Sequence, residues 1–112
     1  MPIANLFRRH DTKSRRAMWG DSVIAEAPAT ARVDGYEYFP PDTVDRDRLV
    51  PTGRTSVCPW KGVATYYNVV DGNRRLEAAA WIYHSPNAAA RHIEGHVAFW
   101  AAGDVTAAPS DH

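Results

Sequence analysis

Cys58-Pro59-Trp60-Lys61-Gly62 sets the chain's single thiol beside a proline, an indole, an ammonium and a glycine. A cysteine becomes a nucleophile when a nearby cation, a helix N-terminus or a histidine base stabilises its thiolate. Lys61 is three residues from Cys58, close enough for a turn to bring ammonium and sulfur together. No second cysteine exists to resolve a sulfenic acid, so thiol cycling would need an external reductant. A structural use competes with this chemistry. A free thiol is also a small apolar filler, and no histidine sits at a spacing that fixes it as a partner of Cys58. Lys61 has three further uses: anchoring an anionic ligand, forming a Schiff base, or pairing with a surface carboxylate. Cys58 and Lys61 are therefore the catalytic candidates.

Aromatic residues are dense around and beyond this stretch: Trp60, Tyr66, Tyr67, Trp81, Tyr83, Phe99 and Trp100. On strands, Tyr67 shares a face with Val69, Tyr66 shares the other with Asn68, and Trp81 and Tyr83 share one. Such rows usually build a core. They also line apolar pockets with polar tips, the common make-up of a small-molecule site. Trp60, Tyr66, Tyr67, Trp81 and Tyr83 are the ligand-binding candidates, with Lys61 as anion anchor. His92 and His96 are four apart and His84 is near, which invites a metal. Gly95 interrupts the helix before His96 and no cysteine lies alongside, so neither a metal nor another cofactor is expected. No glycine-rich phosphate loop and no Ser-His-Asp arrangement is present.

The elements that would position these residues are mostly strands. Gly20-Asp21 marks a hairpin between Ala17-Met18-Trp19 and Val23-Ile24-Ala25, and Asp34-Gly35 marks another between 31–33 and 36–39. Pro40-Pro41 ends that run, since neither residue donates to a ladder. A polar excursion over 43–51, with a helical turn near Arg46, leads into Thr55–Cys58. After the Pro-Trp-Lys-Gly turn, 64–70 is strongly β-forming. Asp71-Gly72-Asn73 turns the chain into 76–83. Ser85-Pro86 and the alanines that follow predict one short helix near 86–94, closed by Gly95. Val97–Trp100 predicts a last strand. Short strands punctuated by turns, with one helix, read as a mainly β domain (α+β by strict count).

At 112 residues, with 45% hydrophobic residues, the chain suits one packed domain. Residues 1–15 read as a basic, flexible arm, 16–104 as the domain and 105–112 as a flexible tail. Net charge is zero, yet residues 1–16 carry five basic residues against Asp11 alone. The bland reading of that imbalance is a solvated terminus. The remainder has no basic track interleaved with aromatics, so nucleic acid is not an expected partner. Neither a charged segment followed by an apolar run nor about 18 consecutive apolar residues occurs. No secretory signal, no membrane span and a cytoplasmic location are therefore expected, in keeping with an unpaired thiol.

Taken in order, Tyr38-Phe39-Pro40-Pro41-Asp42, Cys58-Pro59-Trp60-Lys61-Gly62 with Ala64 and Tyr66-Tyr67, Ala79-Ala80-Trp81-Ile82-Tyr83 with Pro86, and Gly95-His96-Val97-Ala98-Phe99-Trp100 resemble the bacterial family called domain of unknown function 427. The resemblance covers about residues 16–104. It implies a β-tent-like pair of small antiparallel sheets leaning over a pocket or groove. A nucleotidyltransferase label attached to the family finds no Gly-Ser motif followed by paired acidic residues here. Two departures stand out. Position 78, commonly acidic or amide in the family, is Ala78, with Glu77 adjacent. The segment between Val33 and Tyr36 is short, leaving Asp34 or Glu37 to stand for the usual glutamate.

The reading that follows is a small-molecule-binding β domain with an aromatic pocket, converting its ligand, if at all, by conformational control. The alternatives are a thiol-dependent enzyme acting through Cys58 and a protein-interaction module. A small molecule is the expected partner, and a homo-oligomer is admitted.

Overall fold

The computed structural model describes residues 15–100 and 105–109, with side chains described for 15–100. Nine strands make up most of it: β1 (Arg15–Trp19), β2 (Ser22–Ala27), β3 (Ala31–Val33), β4 (Tyr36–Tyr38), β5 (Leu49–Cys58), β6 (Gly62–Asp71), β7 (Arg74–Ile82), β8 (Val97–Phe99) and β9 (Val105–Pro109). They form a three-stranded sheet ordered β2-β1-β9, a two-stranded ribbon β3-β4, and a four-stranded sheet β5-β6-β7-β8. Every pairing is antiparallel. The protein is mainly β, built from small open sheets.

Turn chemistry explains the hairpins. Asp34 and Gly35 both have positive φ (53° and 87°), the conformation a two-residue type I′ turn needs and Asp-Gly tolerates. Gly20 and Gly72 each supply a positive φ at the first turn position of their hairpins. β5 starts at Leu49, well before the predicted Thr55. Pro51 is accommodated because β5 is an edge strand, and Gly53 sits in an irregularity of the β5–β6 register.

Alternation along β6, β7 and β8 divides the four-stranded sheet into two covered faces. Val69, Ala80, Ile82, Val97 and Phe99 face the three-stranded sheet and meet Ala17, Trp19, Ile24 and Ala27 in the larger core. Full burial of a side chain such as Ile82 contributes about 1.5–3 kcal/mol. Ala64, Trp81, Tyr83 and Ala98 point the other way. They are covered by Val33 and Tyr38 of the ribbon and by Ala90 and Ile93. Backbone bonds between Phe39 and Val97 (2.8 and 2.9 Å) tie the end of the ribbon to β8.

Three expectations change in detail. The short helix near 86–94 is present as 3-10 turns over Ala88–Ile93, broken at Ala90 (φ −114°, ψ 18°). Both its flanks are held by other elements, Asn87 N–H by the Lys61 carbonyl and Gly95 N–H by the Tyr83 carbonyl. The 105–112 segment, expected as a flexible tail, contributes β9, which pairs with β1 from Arg15↔Pro109 to Trp19↔Val105. The basic arm expected over 1–15 lies outside the described residues except for Arg15, which opens β1.

Candidate functional site

The Pro59-Trp60-Lys61 loop joins β5 to β6, with Cys58 and Gly62 paired across its base. Gly62 adopts φ +114°, a region that suits glycine, and a Cβ there would lie 3.4 Å from the Asn87 backbone nitrogen. The loop is therefore pressed against the segment that follows β7. Asn87 N–H donates to the Lys61 carbonyl at 2.9 Å, and the Asn87 side-chain amide donates to the Pro59 carbonyl at 3.4 Å. With its backbone so held, Lys61 turns its side chain inward, where it is only 7% exposed.

A buried ammonium needs a partner. Lys61 Nζ donates to Asp34 Oδ2 at 2.6 Å and lies 5.4 Å from the ring centres of both Trp60 and Tyr83. The type I′ turn of the ribbon delivers this carboxylate. Burial opposes the Lys61 charge, but the Asp34 hydrogen bond and its carboxylate charge, with electrostatic coupling to the Tyr38 and Tyr83 phenols, outweigh it and raise its pKa above the usual lysine value. The Lys61 hydrogen bond in turn holds the Asp34 carboxyl below the ordinary range. Lys61 is thus a stable cation, a poor start for Schiff-base chemistry, which needs the free amine.

Beside the pair lies a pocket of about 170 Å³ lined by Lys61, Tyr66, Trp81 and Tyr83 from the four-stranded sheet side, Tyr36 and Tyr38 from the ribbon, and Trp100. Three of its rings meet at steep angles: Tyr36–Trp81 (4.9 Å, 85°), Tyr36–Trp100 (5.8 Å, 85°) and Trp81–Trp100 (5.3 Å, 62°). Edge-to-face packing of this kind fixes ring orientation. The indole N–H of Trp81 donates to the Tyr38 hydroxyl at 3.1 Å, and Tyr66 shares a 2.9 Å hydrogen bond with Ser56. Burial raises the Tyr38 and Tyr83 phenols, so both are neutral near pH 7. The Tyr83 hydroxyl makes no hydrogen bond among the described residues, although Tyr83 is 5% exposed.

The sequence-predicted residues part company here. Lys61, Tyr66, Trp81 and Tyr83 meet at the pocket, whereas Trp60 does not line it and is an exposed ring 5.4 Å from the Lys61 ammonium. Tyr67 does not join them. It lies on the opposite face, packs against the larger core and shares a 2.7 Å hydrogen bond with His84 Nε2. Its place next to Tyr66 on one strand dictates this. Cys58 is half-buried against the smaller core, and its thiol makes no hydrogen bond among the described residues.

Three wall residues, Tyr36, Tyr38 and Trp100, were not singled out as such by sequence reasoning, nor was Asp34 as the partner of Lys61. The Asp-Gly turn between two short β-forming pieces was the available signal for the ribbon, but its docking site is not local. Asp34, and not Glu37, faces Lys61. Glu37 is occupied by Thr30 and by Arg32 at 2.6 Å. Position 78 is also clarified. Ala78 has φ 52° in a bulge where 77–79 oppose Asn68 alone, and its N–H is held by Asn68 Oδ1 at 2.8 Å. Acidic and amide residues suit that left-handed backbone.

His96 bonds the Glu94 carbonyl, and among the described residues no group of three His, Cys, Asp or Glu could hold a metal. No helix among the described residues is long and apolar enough to cross a membrane. None of the curated proteins matches this chain. Residues 8–108, which include every pocket-lining side chain named above, match the family described as domain of unknown function (DUF427), and the chain belongs to that family.

Proposed function

We propose that this protein binds a small, partly apolar molecule in the pocket between the β3–β4 ribbon and the four-stranded sheet. One observation carries the reading: among the described residues, a concavity walled by six aromatic side chains holds one buried cation, Lys61, and a Tyr83 hydroxyl with no hydrogen-bond partner. Its 170 Å³ is below the roughly 300 Å³ of the smallest drug-sized sites, so it suits a single ring or the end group of a longer molecule. Fixed rings orient what they hold, and catalysis by conformational control would act through that orientation. A cytoplasmic, bacterial setting belongs to the same proposal. The thiol alternative draws less support, because the Lys61 ammonium it would need is engaged by Asp34.

The test is a single-ring fragment screen read by tryptophan emission and melting temperature. Binders should raise the melting temperature of the wild type and of Cys58→Ala alike. Trp81→Ala should weaken them by about tenfold or more, as expected for removal of a buried aromatic anchor. Binding that is unaffected by Trp81→Ala, or lost in Cys58→Ala, would refute the reading.

A further inference from the structure

The Lys61–Asp34 pair bears on which molecules can enter, granted that the pocket binds a ligand at all. Lys61 spends one of its three N–H donors on Asp34, and its side chain is 8% exposed. Asp34 is 49% exposed, does not itself line the pocket, and lies on the turn that leads into the pocket residue Tyr36. The ammonium that lines the pocket and the carboxylate bonded to it at 2.6 Å cancel. Every other lining side chain is an uncharged aromatic.

We infer that Asp34 is a specificity-determining residue, which makes the pocket electrically neutral and selects neutral ligands carrying a hydrogen-bond-accepting oxygen, such as a carbonyl, over anions and cations. An accepting oxygen has two donors to meet, the Lys61 ammonium and the Tyr83 hydroxyl, without displacing the pair. A carboxylate would meet the same donors but bring a like charge against Asp34. A quaternary ammonium would find aromatic faces, which attract cations, but also the Lys61 charge within the same small volume. The apolar body of the ligand would lie among Tyr36, Trp81 and Trp100.

Three probes share one benzene ring and differ in the head group: acetophenone, benzoate and benzyltrimethylammonium. Their affinities are measured at low salt by tryptophan fluorescence and calorimetry on the full chain. For the wild type, acetophenone should bind at least about tenfold more tightly than either ion. Asp34→Asn keeps a residue that tolerates the turn's positive φ, removes the negative charge, and should make benzoate the preferred probe. Lys61→Met leaves Asp34 alone and should favour benzyltrimethylammonium. Benzoate binding the wild type as tightly as acetophenone overturns the inference and leaves the pocket reading intact. So does an order of preference that neither variant changes. If no ring probe binds the wild type, the pocket reading fails and the inference with it. Should Asp34→Asn not fold, the wild-type order and Lys61→Met decide the matter.

Discussion

The contact between Lys61 and Asp34 joins residues 27 apart in sequence, and its energetics set a pH window. Asp34's folded pKa is lowered by the Lys61 hydrogen bond. Its contribution is therefore present above the usual carboxyl value of about 4 and is lost as pH falls through the lowered folded value. Lys61's folded pKa is raised, so its contribution holds below the usual lysine value of about 10.4 and disappears as pH climbs past the raised one. Between those limits the pair's contribution is flat. Asp34→Asn should unfold at lower urea than the wild type at pH 7, with the gap closing as pH falls below about 4. Asp71, whose carboxyl is depressed by Ser22, Arg74 and Arg48, also titrates in acid, but it does so in both proteins and cancels from the difference. A gap that stays constant down to the acid limit would mean that the pair's charge contributes nothing. The sequence made Lys61, Trp81 and Tyr83 visible, because they lie in or beside well-patterned strands. Asp34 was visible as a turn residue and, alongside Glu37, as a stand-in for a glutamate, but nothing local says which cation a turn carboxylate will reach.

At the level of elements, the β6–β7 bulge and the Lys61 loop both rely on unusual backbone. Ala78 adopts φ 52° without being glycine. A left-handed conformation costs a residue with a Cβ about 1–2 kcal/mol. Ala78→Gly should therefore stabilise the protein by about 0.5–1 kcal/mol in urea unfolding, part of the relief being offset by glycine's greater freedom in the unfolded chain. No gain, or a loss, would show that the bulge is not strained. The bulge also changes how position 78 is understood. An acidic or amide side chain at that position would suit the left-handed backbone as well as it would suit a polar site. Strand periodicity separated Tyr66 from Tyr67 but could not say which face would carry the pocket. Both faces of this sheet are covered, one by the three-stranded sheet and one by the ribbon, and the pocket described here lies on the second.

Across the whole molecule, the four-stranded sheet is held between a second sheet and a small ribbon, and the second sheet depends on both ends of the domain. β1 is its central strand, with β2 on one edge and β9 on the other. A chain ending at residue 104 loses all five β1–β9 pairs and uncovers the edge of β1. Such a chain should melt at a lower temperature and associate more readily as concentration rises, because an open edge is a template for another strand. An unchanged melting temperature and a monomeric truncated chain would show that β9 adds nothing. Residues 105–109 drew no strand prediction because they are small and weakly patterned, and their partner lies some ninety positions earlier. What the amino-acid order settles by itself is local: Asp-Gly and Gly-Asp turns demand positive φ, alternation divides each strand into two faces, and the Cys-Pro-Trp-Lys-Gly loop sets a thiol, an indole and an ammonium on one turn. Which face becomes pocket, which carboxylate neutralises Lys61, and where the last strand docks were decided by tertiary packing. Each depends on segments distant in sequence burying apolar surface together, and no local preference encodes that choice.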